Sequence, residues 1–188
     1  MAAIIQSYWS MLLGALGKTL LLTLLSLFFA MIIGMIFALM NVGRSRVCNC
    51  IGTIYVDAVR GVPLIVLAYF IYFGVPAGIK MMGIQDFRLS ALQAGTIALS
   101  MNCGAYMAEI IRAGIESVDK GQMEASRSLG LSYGKSMRLV VIPQAIRTMI
   151  PSIINQFIIT LKDTSILSVI GFPELTNMGT VSYTHLTL

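Results

Sequence analysis

"EASRSLGLSYGKSMRLVVIP", residues 124–143, packs four charges, two glycines and a closing proline into a chain that elsewhere runs long distances without a charge. Working outward from it, residues 19–43, 61–79 and 89–108 contain no Asp, Glu, Lys or Arg. Each run is long enough to cross a hydrocarbon core of about 30 Å as a helix. The chain is 57% hydrophobic and 11% charged, with a mean hydropathy of +0.85, outside the range of soluble globular domains. The fold class that follows is an all-α integral membrane protein. The first run is too long for a signal-peptide core and has no basic segment before it, so it reads as a retained span.

Composition also narrows the chemistry. Cys48 and Cys50 are one residue apart in a basic loop, Cys103 is distant, and His185 has no companion. That is no disulfide framework and no metal site, and no residue is singled out as catalytic. The net charge of +5 is grouped rather than spread. Arg44 and Arg46 share one loop, and Arg112, Lys120, Arg127, Lys135 and Arg138 surround another, two spans away. Both loops therefore face one side, the cytoplasm by the positive-inside rule, with the N-terminus outside. The charges set topology and call for no nucleic acid.

Residues 1–18, with Tyr8 and Trp9, read as an interfacial lead-in with its rings at headgroup level. Residues 51–60 read as an amphipathic helix along the inner surface, and Pro63 as the first turn of the second span. In the third span, Asn102 is intramembrane, while Glu109 and Arg112 lie one helical turn apart. Two readings stand: an interfacial ion pair anchoring the helix, or Asn102 and Glu109 turned to a polar pathway. Residues 113–147 read as a cytoplasmic region of two short helices broken around Gly130 and Gly134.

The fourth hydrophobic element is ambiguous, because residues 148–161 are too few to cross before Lys162 and Asp163 intervene. Either the helix starts near Leu139, carries Arg147 and ends at Lys162, or it starts near Thr148 and continues to about Ile170. The second reading is preferred. It places Lys162 about 21 Å along the helix, still inside the bilayer, where charges need a polar cavity. Lys162 and Asp163 are thus pathway candidates, with Asn155 and Gln156 nearer the midplane. Adjacent helical residues point about 100° apart, which makes Asp163 the better candidate of the pair.

The opening stretch resembles a known signature. Glu124-Ala125-Ser126, three residues, Gly130, nine residues, then Val140-Val141-Ile142-Pro143 matches the spacing of E-A-A, x3, G, x9, I-x-L-P. That pattern marks the membrane subunit of binding-protein-dependent ABC importers; Ser126, Val140 and Ile142 are its departures here. "AYMAEIIRAGIESVDKGQMEASRSLGLS" (105–132), "VIPQAIRTMIPSIINQFIITLKDTSILSVIGFPEL" (141–175), "RGVPLIV" (60–66) and "GALGKTLLLTLLS" (14–26) are similar to the polar amino acid branch of that family. The resemblance covers about residues 13–176.

The resemblance implies the ABC importer permease fold with five core transmembrane helices, in the bacterial inner membrane. Its implied partners are a second permease subunit, cytoplasmic ABC ATPase subunits and an extracytoplasmic solute-binding protein. This chain would be no enzyme and bind no cofactor, ATP and magnesium belonging to the ATPase; it has no G-x-x-x-x-G-K-[ST] loop of its own. Glu124, Ala125, Ser126, Arg127, Gly130 and Pro143 would form the coupling element, with small residues allowing close approach and Gly130 making the turn. The whole of 1–188 would be a single transmembrane permease domain, with 113–147 as its coupling region. After "PELTNMGT" the family continues into a fifth span. Here "VSYTHLTL" (181–188) is too short and polar to cross, and resembles a translated adapter more than a native terminus. The expectation is a chain lacking its last core helix, with a genuine short subunit as the alternative. The rival readings are an importer of another small solute, or a membrane channel or assembly protein whose loop is merely structural.

Overall fold

The computed structural model describes residues 2–43, 45–84 and 86–180, with side chains from Trp9 onward, and every element among them is helical. The Tyr8 ring, Arg44, and the 181–188 tail with His185 lie outside the described residues. The first helix, α1, spans Ala2–Val42. Its 41 residues make about 60 Å at 1.5 Å per residue, twice a bilayer core. The lead-in expected over 1–18 is thus no separate segment but the same helix, and Trp9 projects from it exposed.

Burial along α1 inverts the pattern of a soluble helix. The buried stripe is small or polar: Ala15, Thr19, Ser26, Ala30, Ala38 and Asn41, with Leu22 the large exception. The opposite face exposes Leu20, Leu24, Phe28, Ile32, Met35 and Leu39. In lipid, large side chains need no protein partner, whereas small ones let backbones approach and gain dispersion contact. The threonine hydroxyls are satisfied locally, Thr19 donating to the Ala15 carbonyl at 3.0 Å and Thr23 to that of Thr19 at 2.8 Å, whereas the buried Ser26 hydroxyl has no partner among the described residues.

Helix α2 (Arg46–Gly61) starts at Ser45, whose hydroxyl accepts from the Cys48 amide at 3.4 Å. It buries Gly52, Val56 and Val59 and exposes Val47, Ile51 and Ile54, so its amphipathic character begins at Arg46. Tyr55 stacks on Phe37 with ring centroids 3.8 Å apart and donates to the Met101 carbonyl at 2.9 Å, pinning α2 to α1 and to the next long helix. Helix α3 runs over Leu64–Met81. Pro63 is its cap and not, as expected, inside its first turn. A π-turn at Phe70–Gly74 lies just ahead of Pro76, which can neither donate to nor pack against the carbonyl four residues back.

Helix α4 (Ala91–Glu116) begins with a capping box, Ser90 accepting from the Gln93 amide and Gln93 from the Ser90 amide. It is the centre of the bundle. Half of its 26 residues are buried, and α1, α2, α3 and the last long helix all pack on it. Of the charge-free run 89–108, all but the first two residues lie in this helix, whose 26 residues are long enough to cross a bilayer core. It is more polar than the helical stretches Trp9–Val42, Leu64–Met81 and Tyr133–Ile170. Surrounded by protein, α4 has no need of lipid-compatible side chains and carries Ser100, Asn102 and Gly104 instead.

Helix α5 (Lys120–Ser128) is capped by Asp119, which accepts from the Gly121 amide at 2.6 Å. It ends at Gly130, whose φ of +87° places it in the left-handed region. Helix α6 is continuous over Tyr133–Ile170. It passes through a π-turn at Met137–Val141, again just before a proline, Pro143. The break expected around both glycines is therefore at Gly130 alone, because Gly134 is helical and, among the described residues, φ is positive only at Gly83, Gly130 and Gly171. The ambiguity of the fourth element resolves into parts of both readings. Its α-helical portion, Ile142–Asp163, includes Arg147 and Pro151, and a 3-10 stretch, Thr164–Ile170, carries it past the Lys-Asp pair. A last helical segment, 175–180, follows a turn at Gly171.

Candidate functional site

The residues expected to form a coupling element lie at the bundle end shared by the termini of α1 and α4, where Val42 and Glu116 line a pocket with Lys120 and Met123. Glu124, Ala125, Arg127 and Gly130 are exposed, and neither Glu124 nor Arg127 has an ion pair among the described residues. Ser126 behaves differently. It is buried, with its hydroxyl donating to the Met123 carbonyl at 2.9 Å, so it packs within its own chain. Pro143 is exposed at the start of the Ile142–Asp163 portion, and Gln144 beside it donates to the Gln122 side chain at 3.4 Å, tying α6 to α5. Leu129, 85% exposed, was not singled out from the sequence, where one leucine among many carries no signal.

A second region lies where α2 ends, α3 begins, and α4 and α6 cross. There a cavity of about 400 Å³ is lined by Arg60, Pro63, Asn102, Tyr106, Gln156 and Asp163, among others. Residues separated by more than a hundred positions thus meet in one space. Of the pathway candidates, Asn102, Gln156 and Asp163 line this cavity. Asn155 and Lys162 do not; both are exposed elsewhere on α6. The 100° offset between neighbouring helical residues turns Asp163 in and Lys162 out. Glu109 belongs to a neighbouring cleft and is held there in a bidentate pair by Arg112, with contacts of 2.5 and 3.2 Å. Arg112 also reaches Glu116 at 2.8 Å, so the ion-pair reading describes Glu109.

The sequence reading missed Arg60 and Tyr106. The Arg60 guanidinium lies 5.1 Å from the Tyr106 ring centroid, a cation–π contact that holds it over the cavity. No ion pair joins Arg60 to Asp163 among the described residues, so the cavity lining carries both signs of charge, with Arg60 also facing Glu109. The only available signal was position: Arg60 directly precedes Gly61, the last residue of an amphipathic helix, at the entrance to a span.

The sequence model of the "binding-protein-dependent transport system inner membrane component" family matches residues 30–184. The chain belongs to that family. It is a permease, the inner-membrane, multi-pass part of an ABC importer, with ATP hydrolysis in a separate subunit. It is 39% identical over 174 residues to a probable glutamine ABC transporter permease protein of Bacillus subtilis, covering 92% of this permease and 77% of that protein. The L-cystine transport system permease protein of the same organism is 41% identical, with coverages of 90% and 70%. In three dimensions the permease superposes on a crystal structure of an amino acid ABC transporter with histidines. The TM-score is 0.87 at 38% identity, covering 98% of this chain and 83% of that one. A methionine ABC transporter in an inward-facing conformation shares the fold, with a TM-score of 0.74 at 21% identity.

Proposed function

We propose that this permease conducts a polar amino acid through the cavity between α2, α3, α4 and α6, driven by ATPase subunits docked on α5. The observation that carries the reading is the pairing of opposite charges with neutral amides in one space. Arg60 suits a carboxylate, Asp163 an ammonium, and Asn102 and Gln156 hydrogen-bond the remainder. An unpaired charge in a low-dielectric interior costs several kcal/mol, so such groups are retained where a ligand of complementary charge completes them. Relatives named for glutamine and cystine, and a solved relative with histidines, support the amino acid class.

In this reading the N-terminus and the loop around Met82 are outside, and Arg46, α5 and the rest of 113–147 are cytoplasmic. A solute-binding protein delivers the amino acid outside, and a second permease subunit completes the pathway. Glu124, Ala125, Arg127, Gly130 and Pro143 form the exposed docking surface, with Ser126 anchoring it from behind. The test is Asp163→Asn in the complete transporter, reconstituted with ATPase and binding protein. Uptake should fall about tenfold or more, the effect of losing one charge-assisted hydrogen bond, with insertion intact. Full-rate uptake would remove Asp163 from the pathway.

A further inference from the structure

Next to that cavity lies a cleft of about 320 Å³ between α1, α2 and α4, and Arg60 faces both. The volume falls within the range of about 300–1,000 Å³ usual for small-molecule sites. Its charges divide into two sets. Arg112 engages both Glu109 and Glu116, one cation between two carboxylates, so this set keeps a net negative charge, which Arg60 also faces. Asp57 and Arg60, one turn apart on α2, have no hydrogen bond or ion pair to any side chain among the described residues. In the neutral lining, the Asn41 side-chain oxygen abuts Gly52 and is closed off from the cleft. Asn41 is 8% exposed, and its side-chain carbonyl oxygen has no hydrogen-bond partner. Asn49 donates instead to the Asn41 backbone carbonyl at 2.8 Å, and Thr53 to the Asn49 side chain at 3.4 Å.

We propose that this cleft is a second binding site for a zwitterionic amino acid, its ammonium on Asp57 and its carboxylate on Arg60. The proposal rests on the amino-acid reading above and adds a place that reading does not use. Because one guanidinium serves both spaces, they cannot be filled independently: a ligand holding Arg60 in the cleft withdraws it from the pathway cavity. The cleft also shares Glu116 with a pocket lined by Val42, Asp119, Lys120 and Met123, at the start of α5. An amino acid in the cleft is therefore next to the coupling element as well as the pathway.

The test is equilibrium dialysis of radiolabelled L-glutamine, L-arginine and L-cystine against the permease–ATPase complex in lipid nanodiscs. Exclusive sites mean that either can bind when the other is damaged. Asp163→Asn alone should retain saturable binding of the ligand that wild type takes. Adding Asp57→Asn should weaken that remaining binding about tenfold or more, as loss of a charge-assisted hydrogen bond does. Adding Thr53→Leu, which fills the cleft without removing a charge, should do the same. Complete loss of binding in Asp163→Asn alone, no effect of either cleft substitution in that background, or no saturable binding to wild type would each overturn the proposal. Loss of all binding in Asp57→Asn alone would keep the cleft and overturn the pathway cavity instead.

Discussion

Gly34 sets how near α1 comes to α4. A Cβ placed there would meet the Met107 Cβ at 2.5 Å and the Ala108 amide nitrogen at 3.2 Å, whereas one at Gly14 would meet nothing within 4 Å. Both glycines are helical, so backbone conformation does not distinguish them. Alanine at Gly34 must therefore push two helix backbones apart. We expect Gly34→Ala to destabilise the detergent-solubilised permease by about 1–3 kcal/mol, the usual cost of overpacking. Gly14→Ala should instead be neutral or stabilise by up to about 1 kcal/mol, since it only restricts the unfolded chain. Thermal unfolding of the two variants side by side checks the contrast. Glu174 makes a similar argument from the polar side. It is 1% exposed and accepts from the Thr176 and Asn177 amides at 2.7 and 2.6 Å, capping the 175–180 segment. Next to it, the Leu175 amide donates to Thr19 at 3.2 Å, fastening that segment to α1.

At the scale of the element, the end of α5 depends on one backbone angle. Gly130 is at φ +87° with open space around its missing side chain, so any substitution acts through conformation and not collision. Its amide donates to the Arg127 carbonyl at 3.0 Å, and the Leu131 amide returns to the Ser126 carbonyl at 3.3 Å, closing the end of α5. A β-branched residue resists that conformation, and asparagine tolerates it. Gly130→Val should lower uptake per ATP hydrolysed several-fold, while Gly130→Asn should stay nearer wild type, if α5 transmits force as a rigid body. Parallel measurement of ATPase rate and uptake in proteoliposomes decides it. Equal coupling in the two variants would show that the geometry at Gly130 is not what positions α5.

For the molecule as a whole, the arrangement predicts which surfaces meet which compartment. Cys50 is exposed and Cys48 half-buried at the start of α2, Met82 is exposed at the opposite end of α3, and Cys103 is buried. A membrane-impermeant thiol reagent applied to intact cells should label Met82→Cys and miss Cys48 and Cys50. After permeabilisation Cys50 should react and Cys103 should not. The reverse pattern would invert the proposed orientation.

The sequence by itself determined the helices, the membrane and the family. Helical hydrogen bonds are local, caps such as Ser90 with Gln93 are read within four residues, and hydropathy is a property of each residue in turn. The spacing from Glu124 to Pro143 is likewise a one-dimensional pattern, and it pointed to the permease family before any contact was known. Only the tertiary structure decided which faces are buried between the chain's own helices and which stay exposed. It made α4 central although other helices are greasier, turned Ser126 inward, and extended α6 through both prolines. It also brought Arg60 into the same cavity as Asp163. Those outcomes depend on how small residues such as Gly34 and Gly104 let helices approach, on pairings over a hundred residues apart, and on the burial they create. A charge at a helix end looks the same in sequence whether it meets water, lipid headgroups or a cavity; packing alone distinguishes them.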